Sequence, residues 1–558
     1  MNMLKRLLFI FLTLHFSLLT TLAQPSWTKK ATKSVFTLKT FSADGSLLAS
    51  SNGFFIGTGG EAISNFAPFK NASKAVIIDA AGKEYPVSAI LGANDMYDVV
   101  KFRVAAGKPQ PLTIASAVSP VGSQVWILPY RETKNVNQGL VRKAETFQND
   151  YAYYTVAFSM TEGLVSCPLI NEAGEVIGLM QQPASARDSL SYAVSASFVD
   201  SLKITGMSIN DPTLQLTSIK KDIPDDLQNA MLMLYMAGSS ADSATYVGLV
   251  NDFIQKFPSA PDGYIYRAQM ATANGDFGTA DQDISQALKV AEKKDDVHFN
   301  YARMIYNKNI YQDQLPYEAW TLDKALAEIR EANMMNPSPT YRQLEANILF
   351  AQKQYEDAYN LFVELTKTPL GNADIWYSAA RCKEMQKDTT AYLALLDSTM
   401  NTFSRPYLKE AAPYLWTRAN AKMDANKFRE AVNDLNDYEQ LMAAQVNARF
   451  YYIRYQAEVG GRLYQQALND ISQAIRLEPT ETLYQAEKAS LQVRVGLYDN
   501  ALQTAEDCIK TAPNDSDGYL FKGLVLCLKG QKKEGLENLQ KAKELGDPQA
   551  EGLIQRYQ

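Results

Sequence analysis

Histidine is nearly absent from this chain: two occur in 558 residues, His15 and His298. Imidazole is the commonest metal ligand and the side chain best suited to act as a general base near neutral pH. Positions 16–297 can therefore build neither from this residue type. Cysteine is also scarce. Cys167, Cys382, Cys508 and Cys527 are scattered, with no C-x-x-C pair, which argues against a zinc site. Four buried thiols are the expected state, and a Cys508–Cys527 pair stays open if adjacent helices bring the two together. No G-x-x-x-x-G-K-[ST] loop occurs. The run Gly57-Thr58-Gly59-Gly60 follows a strand-like stretch but opens no helix, so it is not a dinucleotide fingerprint. Neither a cofactor nor a metal is expected. An excess of positive charge is missing too, since 55 basic against 61 acidic residues give a net charge of −6. Phosphate binding requires clustered positive charge, so nucleic acid is not expected as a partner.

The N-terminus carries more information. Lys5 and Arg6 precede an apolar run from Leu7 to Leu19, followed by Thr21-Leu22-Ala23 and Gln24. That is the pattern of a secretory signal peptide over 1–23, with cleavage after Ala23. The apolar core is short of the roughly 20 residues a membrane span needs. No cysteine follows it to take a lipid anchor. The mature chain is expected to be exported, whether periplasmic, outer-membrane-associated or secreted, with no stable membrane span once the signal is removed.

What remains divides into two texts. From Ser34 to about Leu202, short runs rich in Val, Ile, Tyr and Phe alternate with turn dipeptides such as Asp44-Gly45, Ala81-Gly82 and Ala173-Gly174. Many short strands at close spacing predict an all-β barrel or sandwich. Residues 205–224 are polar and punctuated by proline, and are expected to be a linker. From about 225 to 558 the apolar period changes to three and four, the period of amphipathic helices. This half repeats. Small residues stand at Ala268, Ala302, Ala346, Ala380, Ala419, Ala489 and Gly523, with Tyr455 in phase, and four of the steps are 34 residues. Pro479 and Pro513 are also 34 apart, and the longer steps hold insertions, one around "NKNIYQDQLPYE".

These features resemble the tetratricopeptide repeat, over about three-fifths of the chain and about eight helix pairs. The resemblance implies stacked helix pairs forming a superhelix whose concave face holds a protein or peptide. Tyr-rich clusters such as "RFYYIRYQ" (449–456) are candidate groove anchors or inter-repeat core.

The β-rich half resembles a trypsin-like serine protease domain over roughly 30–204, most similar to the periplasmic high-temperature-requirement type. Four stretches carry the likeness: "NGFFIGTGGEAISNF" (52–66), "GANDMYDVVKFRV" (92–104), "TEGLVSCPLINEAGEVIGLM" (161–180) and "LSYAVSASFVDSL" (190–202). No PDZ-like segment follows, a departure from that type. The resemblance implies a double barrel with a serine nucleophile, a histidine base and an orienting aspartate. The aspartate falls on Asp98. The histidine position falls on Ala67 and the serine position on Val165, so two of the three groups are missing. Gly163 holds the first glycine of the motif and is the candidate remnant of an oxyanion hole.

Two alternative nucleophiles stay open. Ser166 is the alternative nucleophile if the register is shifted by one, and Cys167 is another. Either needs a base, which Lys70 or, across domains, His298 would have to supply. The leading expectation is thus an exported, non-proteolytic trypsin-like domain joined to repeats, serving as a binding or scaffold protein. The β-domain cleft and the concave face of the repeats would both hold polypeptide. The alternative is an active serine endopeptidase whose repeats recruit substrate. A third is a structural role in which the β domain only packs on the repeats.

Overall fold

The computed structural model describes residues 25–131, 137–148, 150–183, 189–240 and 242–558. The expected signal peptide, with His15, lies outside the described residues. The expected fold class holds: two closed six-stranded β-barrels are followed by an all-α part. The first barrel contains β1 (Val35–Phe41), β2 (Leu47–Phe55), β3 (Glu61–Ser64), β4 (Lys74–Ile78), β5 (Glu84–Asn94) and β6 (Val99–Val104), in the order β1-β2-β3-β6-β5-β4. The second contains β7 (Gln124–Ile127), β8 (Asn137–Phe147), β9 (Tyr151–Ala157), β10 (Pro168–Ile170), β11 (Val176–Met180) and β12 (Leu190–Ser195), in the order β10-β11-β12-β9-β8-β7.

Alternation and turn chemistry account for these strands. Along β1 the side chains of Phe36, Leu38 and Thr40 are buried while Thr37, Lys39 and Phe41 are partly exposed, the period-two signature of a barrel wall. Gly45, Gly82 and Gly174 end three of the predicted turn dipeptides at φ between 83° and 85°, a region that costs glycine little and other residues much. Phe36, Phe55, Phe66, Phe69 and Phe102 fill the first barrel. Val141, Tyr154, Val156 and Ile177 fill the second. A third cluster, including Phe54, Ile63, Val99, Leu128, Leu179 and Phe198, draws on both barrels and supports the cleft described below.

The chain forms two compact units, one ending at Ala291 and one beginning at Glu292. The stretch 205–224, expected to be a linker, is stitched to the first barrel. Asn71 N–H donates to Leu216 O (2.7 Å), Ser218 N–H to Ala72 O (2.9 Å), Ile90 N–H to Lys220 O (2.7 Å) and Asp222 N–H to Ile90 O (2.9 Å). Arg103 pairs with Asp222 at 2.7 Å. Ile204, Leu214, Ile219 and Ile223 join the barrel core, and so do Met233, Leu234, Val250 and Phe253 from the first two helices. The first barrel and the first helices therefore share one hydrophobic cluster.

Among the described residues, nineteen helices of eight residues or more run from Leu227 to Tyr557: nine pairs and a terminal helix, Ala550–Tyr557. The pair Leu227–Ser240 and Ser243–Lys256 precedes the eight that share the small-residue phase, so the count is one pair above the expectation. The small residues act as predicted. Ala268, Ala302, Ala346, Ala380, Ala419 and Ala489 are all buried. At Gly523 a Cβ would sit 2.8 Å from Gly535 O, too close to tolerate. No helix among the described residues is long and apolar enough to cross a membrane.

One turn recurs between the two helices of a pair. Gly275, Lys353, Lys387, Asn426, Arg462, Gly496 and Gly530 each stand just after the first helix, with φ from 58° to 85°. Left-handed backbone costs a non-glycine L-residue about 1–2 kcal/mol. Glycine's greater freedom in the unfolded chain offsets part of the gain from relieving it. Lys387→Gly is accordingly expected to stabilise the fold by about 0.5–1 kcal/mol. A urea midpoint that falls, with an unchanged m value, would contradict this.

Candidate functional site

The residues singled out in the β domain do converge. Ala67, Asp98, Gly163 and Val165 line one cleft of about 750 Å³, together with Ser51, Asn52, Asn65 and Gln182. Ala67 follows the end of β3 and begins a single 3₁₀ turn, Ala67–Phe69, with Pro68 at its start. Asp98 stands just before β6 at φ 49°. Gly163 and Val165 belong to the turn that enters β10. Asp98 is the one charged side chain among the described residues lining the cleft.

Both oxygens of that carboxylate are occupied. Ala67 N–H donates to Oδ1 at 2.6 Å, and Asn65 Nδ2 donates to Oδ2 at 2.8 Å and to Asp98 O at 3.0 Å. A base at position 67 would need one of these oxygens to orient its ring, and an amide holds it instead. The chain of bonds continues across the cleft. Ser166 Oγ donates to Asn65 Oδ1 at 2.5 Å and lies 2.9 Å from Ser51 Oγ. Asn52 Nδ2 donates to Gly163 O (3.1 Å) and Val165 O (3.0 Å), fastening the β10 entry turn to β2. Asn52 O in turn accepts from Ser64 Oγ at 2.6 Å. Asp98, Asn65, Ser166 and Ser51 thus form one hydrogen-bonded line between the barrels.

The alternative nucleophiles are placed by the same geometry. Ser166 is fully buried at φ 64°, with its hydroxyl proton committed to Asn65. Cys167 is fully buried, and burial pushes its thiol up to about 12, far from the thiolate form that nucleophilic attack requires. Lys70 Nζ is paired with Asp95 at 2.5 Å. His298 belongs to the second compact unit, where its Nδ1 meets Glu328 Oε2 at 2.6 Å. Cys382, Cys508 and Cys527 are buried and unbridged. Among the described residues no group of three His, Cys, Asp or Glu side chains is placed to hold a metal.

The roles of Asn65, Ser51 and Asn52 escaped the sequence. Each is an ordinary polar residue in or beside a strand. The bond from Ser166 to Asn65 joins positions 101 apart, which no local pattern reveals. A second missed feature did leave a trace. In three repeats an arginine on the first helix is followed 16 residues later by an aspartate on the second. Arg267–Asp283 (2.6 Å), Arg418–Asp434 (2.6 Å) and Arg454–Asp470 (2.6 Å) all form ion pairs, and each aspartate is buried. Each arginine also reaches the second helix of the preceding pair, at Asn251, Asp397 and Asn436 respectively. The pairs lock neighbouring repeats in register.

Residues 51–179 match the family model of the trypsin-like peptidase domain. The small glutamine-rich tetratricopeptide repeat-containing protein 2 of Saccharomyces cerevisiae is 26% identical over 137 residues, which covers 24% of this chain and 40% of that protein. The chain therefore spans about two-fifths of the length of the curated relative it matches. Among solved structures, the Rv3671c protease from M. tuberculosis in its active form is 17% identical, over 33% of this chain and 85% of that one, at a TM-score of 0.29. The serine endoprotease from Yersinia pestis is 16% identical, over 31% and 62%, at a TM-score of 0.27.

Proposed function

We propose that this chain, a trypsin-like domain followed by helical repeats, is an exported, non-proteolytic protein that holds polypeptide partners. The observation that carries the reading is the line Asp98–Asn65–Ser166–Ser51. In it, every group that would serve a nucleophile is bonded to another fixed side chain. Val165 and Ala67 supply neither a nucleophilic atom nor a base at the two positions open to the cleft. The remaining lining suits an amide backbone, because hydroxyls and carboxamides donate and accept without demanding a charged ligand. An extended segment laid in such a cleft is held by main-chain hydrogen bonds. The repeats supply a second surface, and a partner engaging both gains avidity through linkage.

The test uses the purified full chain. It should show no labelling by a fluorophosphonate probe and no casein cleavage, and should bind an unfolded polypeptide such as reduced carboxymethylated lactalbumin. Labelling abolished by Ser166→Ala would overturn the non-proteolytic reading, and absence of any polypeptide binding would overturn the holding role. Ser166→Ala should instead destabilise the fold by about 1–3 kcal/mol, because Asn65 and Ser51 both lose a buried partner. Thermal melts of the variant check that figure.

A further inference from the structure

A second cavity, of about 320 Å³, lies within the first compact unit and away from the cleft. Its walls come from the stitched segment 205–224 and from the first two helices. Leu214, Ile219, Met233 and Leu249 supply its apolar lining, and Lys221, Gly248 and the ion pair of Lys220 with Asp252 also line it. The size sits at the small end of ligand pockets, which combine an apolar wall with a few polar groups.

Lys221 is the feature the fold does not explain. Its Nζ donates to Thr217 O at 2.5 Å, a neutral acceptor. Among the described residues no carboxylate lies within ion-pair distance of it. The neighbouring acid, Asp252, is taken by Lys220 at 2.6 Å. The backbone of Lys221 is bridged to Ile90 of the first barrel, which fixes the main chain at this wall of the cavity. Burial draws its ammonium below the usual lysine range. A partly buried cation without a counter-charge is costly unless an anion meets it.

We propose that this cavity binds a small amphipathic carboxylate, with the apolar tail among Leu214, Met233 and Leu249 and the carboxylate on Lys221. The site is separate from the polypeptide cleft. Its walls join the barrel to the first helix pair, so an occupant would brace that junction. Two substitutions address head and tail separately. Lys221→Met keeps the apolar stem and removes the charge. Gly248→Phe fills the cavity mouth, and a Cβ at Gly248 meets no atom within 4 Å, so the helix accommodates it.

The experiment is calorimetric titration of the full chain with sodium decanoate and with decanol. Decanoate should bind saturably at one site and decanol at least about tenfold more weakly, a factor worth 1.4 kcal/mol. Gly248→Phe should abolish decanoate binding, and Lys221→Met should bring decanoate and decanol to equal affinity. Three results would overturn the proposal: no saturable decanoate binding below its micelle-forming concentration, parental binding by folded Gly248→Phe, or an undiminished carboxylate preference in folded Lys221→Met. Circular dichroism establishes that each variant is folded. The two are independent, so either one alone decides if the other misfolds.

Discussion

Arg454→Met should destabilise the helical repeats by about 3–5 kcal/mol, the usual consequence of removing one partner from a buried charge network. Arg454 is buried and is, among the described residues, the one cation paired with this cluster of carboxyl groups. It pairs with Asp470 at 2.6 Å and Glu439 at 2.5 Å, stands 4.0 Å from Glu458, and lies over the rings of Phe450 and Tyr451. Methionine preserves the stem's packing, so the loss isolates the charge. Three carboxyl groups would then face one another in a poorly hydrated site. Adding Asp470→Leu should recover part of the loss, because a matched apolar pair is tolerated where a lone buried charge is not. Denaturant melts of the two single variants and the double variant give the coupling energy. A double variant as unstable as the sum of the singles would refute the assignment.

The same cluster has a pH signature. Burial first, then the nearby Asp470 charge, raises the Glu458 carboxyl to about 8. Its Oε2 atom is buried with no hydrogen-bond partner among the described residues. The folded state therefore keeps a proton that the unfolded state releases near 4.5. Stability contributed by the protonated form is present below that value and is lost as pH rises toward 8. Glu458→Gln should flatten this slope and raise the melting temperature most at the alkaline end. Melts at pH 5 and pH 8 check it, and equal shifts at both would contradict it.

Much of this architecture was legible because it is written locally. Asp44-Gly45 and Ala173-Gly174 predicted turns because only glycine adopts their backbone cheaply, and both turns are present. The 34-residue phase predicted helix pairs because each small residue marks one close approach of helices, at Ala268 as at Ala489. Residues 205–224 were misleading for a physical reason. Several of their polar side chains are exposed while backbone groups at Leu216, Lys220 and Asp222 bond to the first barrel, and composition does not report backbone pairing. The cleft was half legible. Asp98, Ala67 and Val165 could be placed by resemblance to a patterned family. What holds Asp98 could not, because Asn65 and Ser166, 101 residues apart in sequence, acquire their roles only when the two barrels meet. The arginine–aspartate pairs lay between these cases: a spacing of 16 repeated three times is visible once the helix boundaries are known.

The largest expected effect concerns positions 67 and 165 of the cleft. Ala67→His with Val165→Ser would place a base and a hydroxyl at two positions that line the same cleft, beside a carboxylate already at hand. A positioned base speeds reactions of this kind by about 10²–10⁴, so fluorophosphonate labelling should rise at least about a hundredfold above the parent chain. The gain should stay incomplete, because Asn65 Nδ2 occupies the Asp98 oxygen that would orient the new imidazole. Adding Asn65→Ala removes that competitor and should raise labelling by roughly another tenfold or more, since the orienting carboxylate is itself worth orders of magnitude in such triads. The third substitution also strips Ser166 of its acceptor, so the triple variant should melt below the double variant. Higher reactivity together with lower stability is the specific expectation. It follows from treating the amide of Asn65 as the group that took over the histidine's place on Asp98, and from Ser166 serving that amide and not an incoming substrate. Labelling of the double variant at the parental rate, with the fold intact, would show that positions 67 and 165 do not face each other as a base and nucleophile must. A triple variant no more reactive than the double would show that Asn65 does not compete for Asp98.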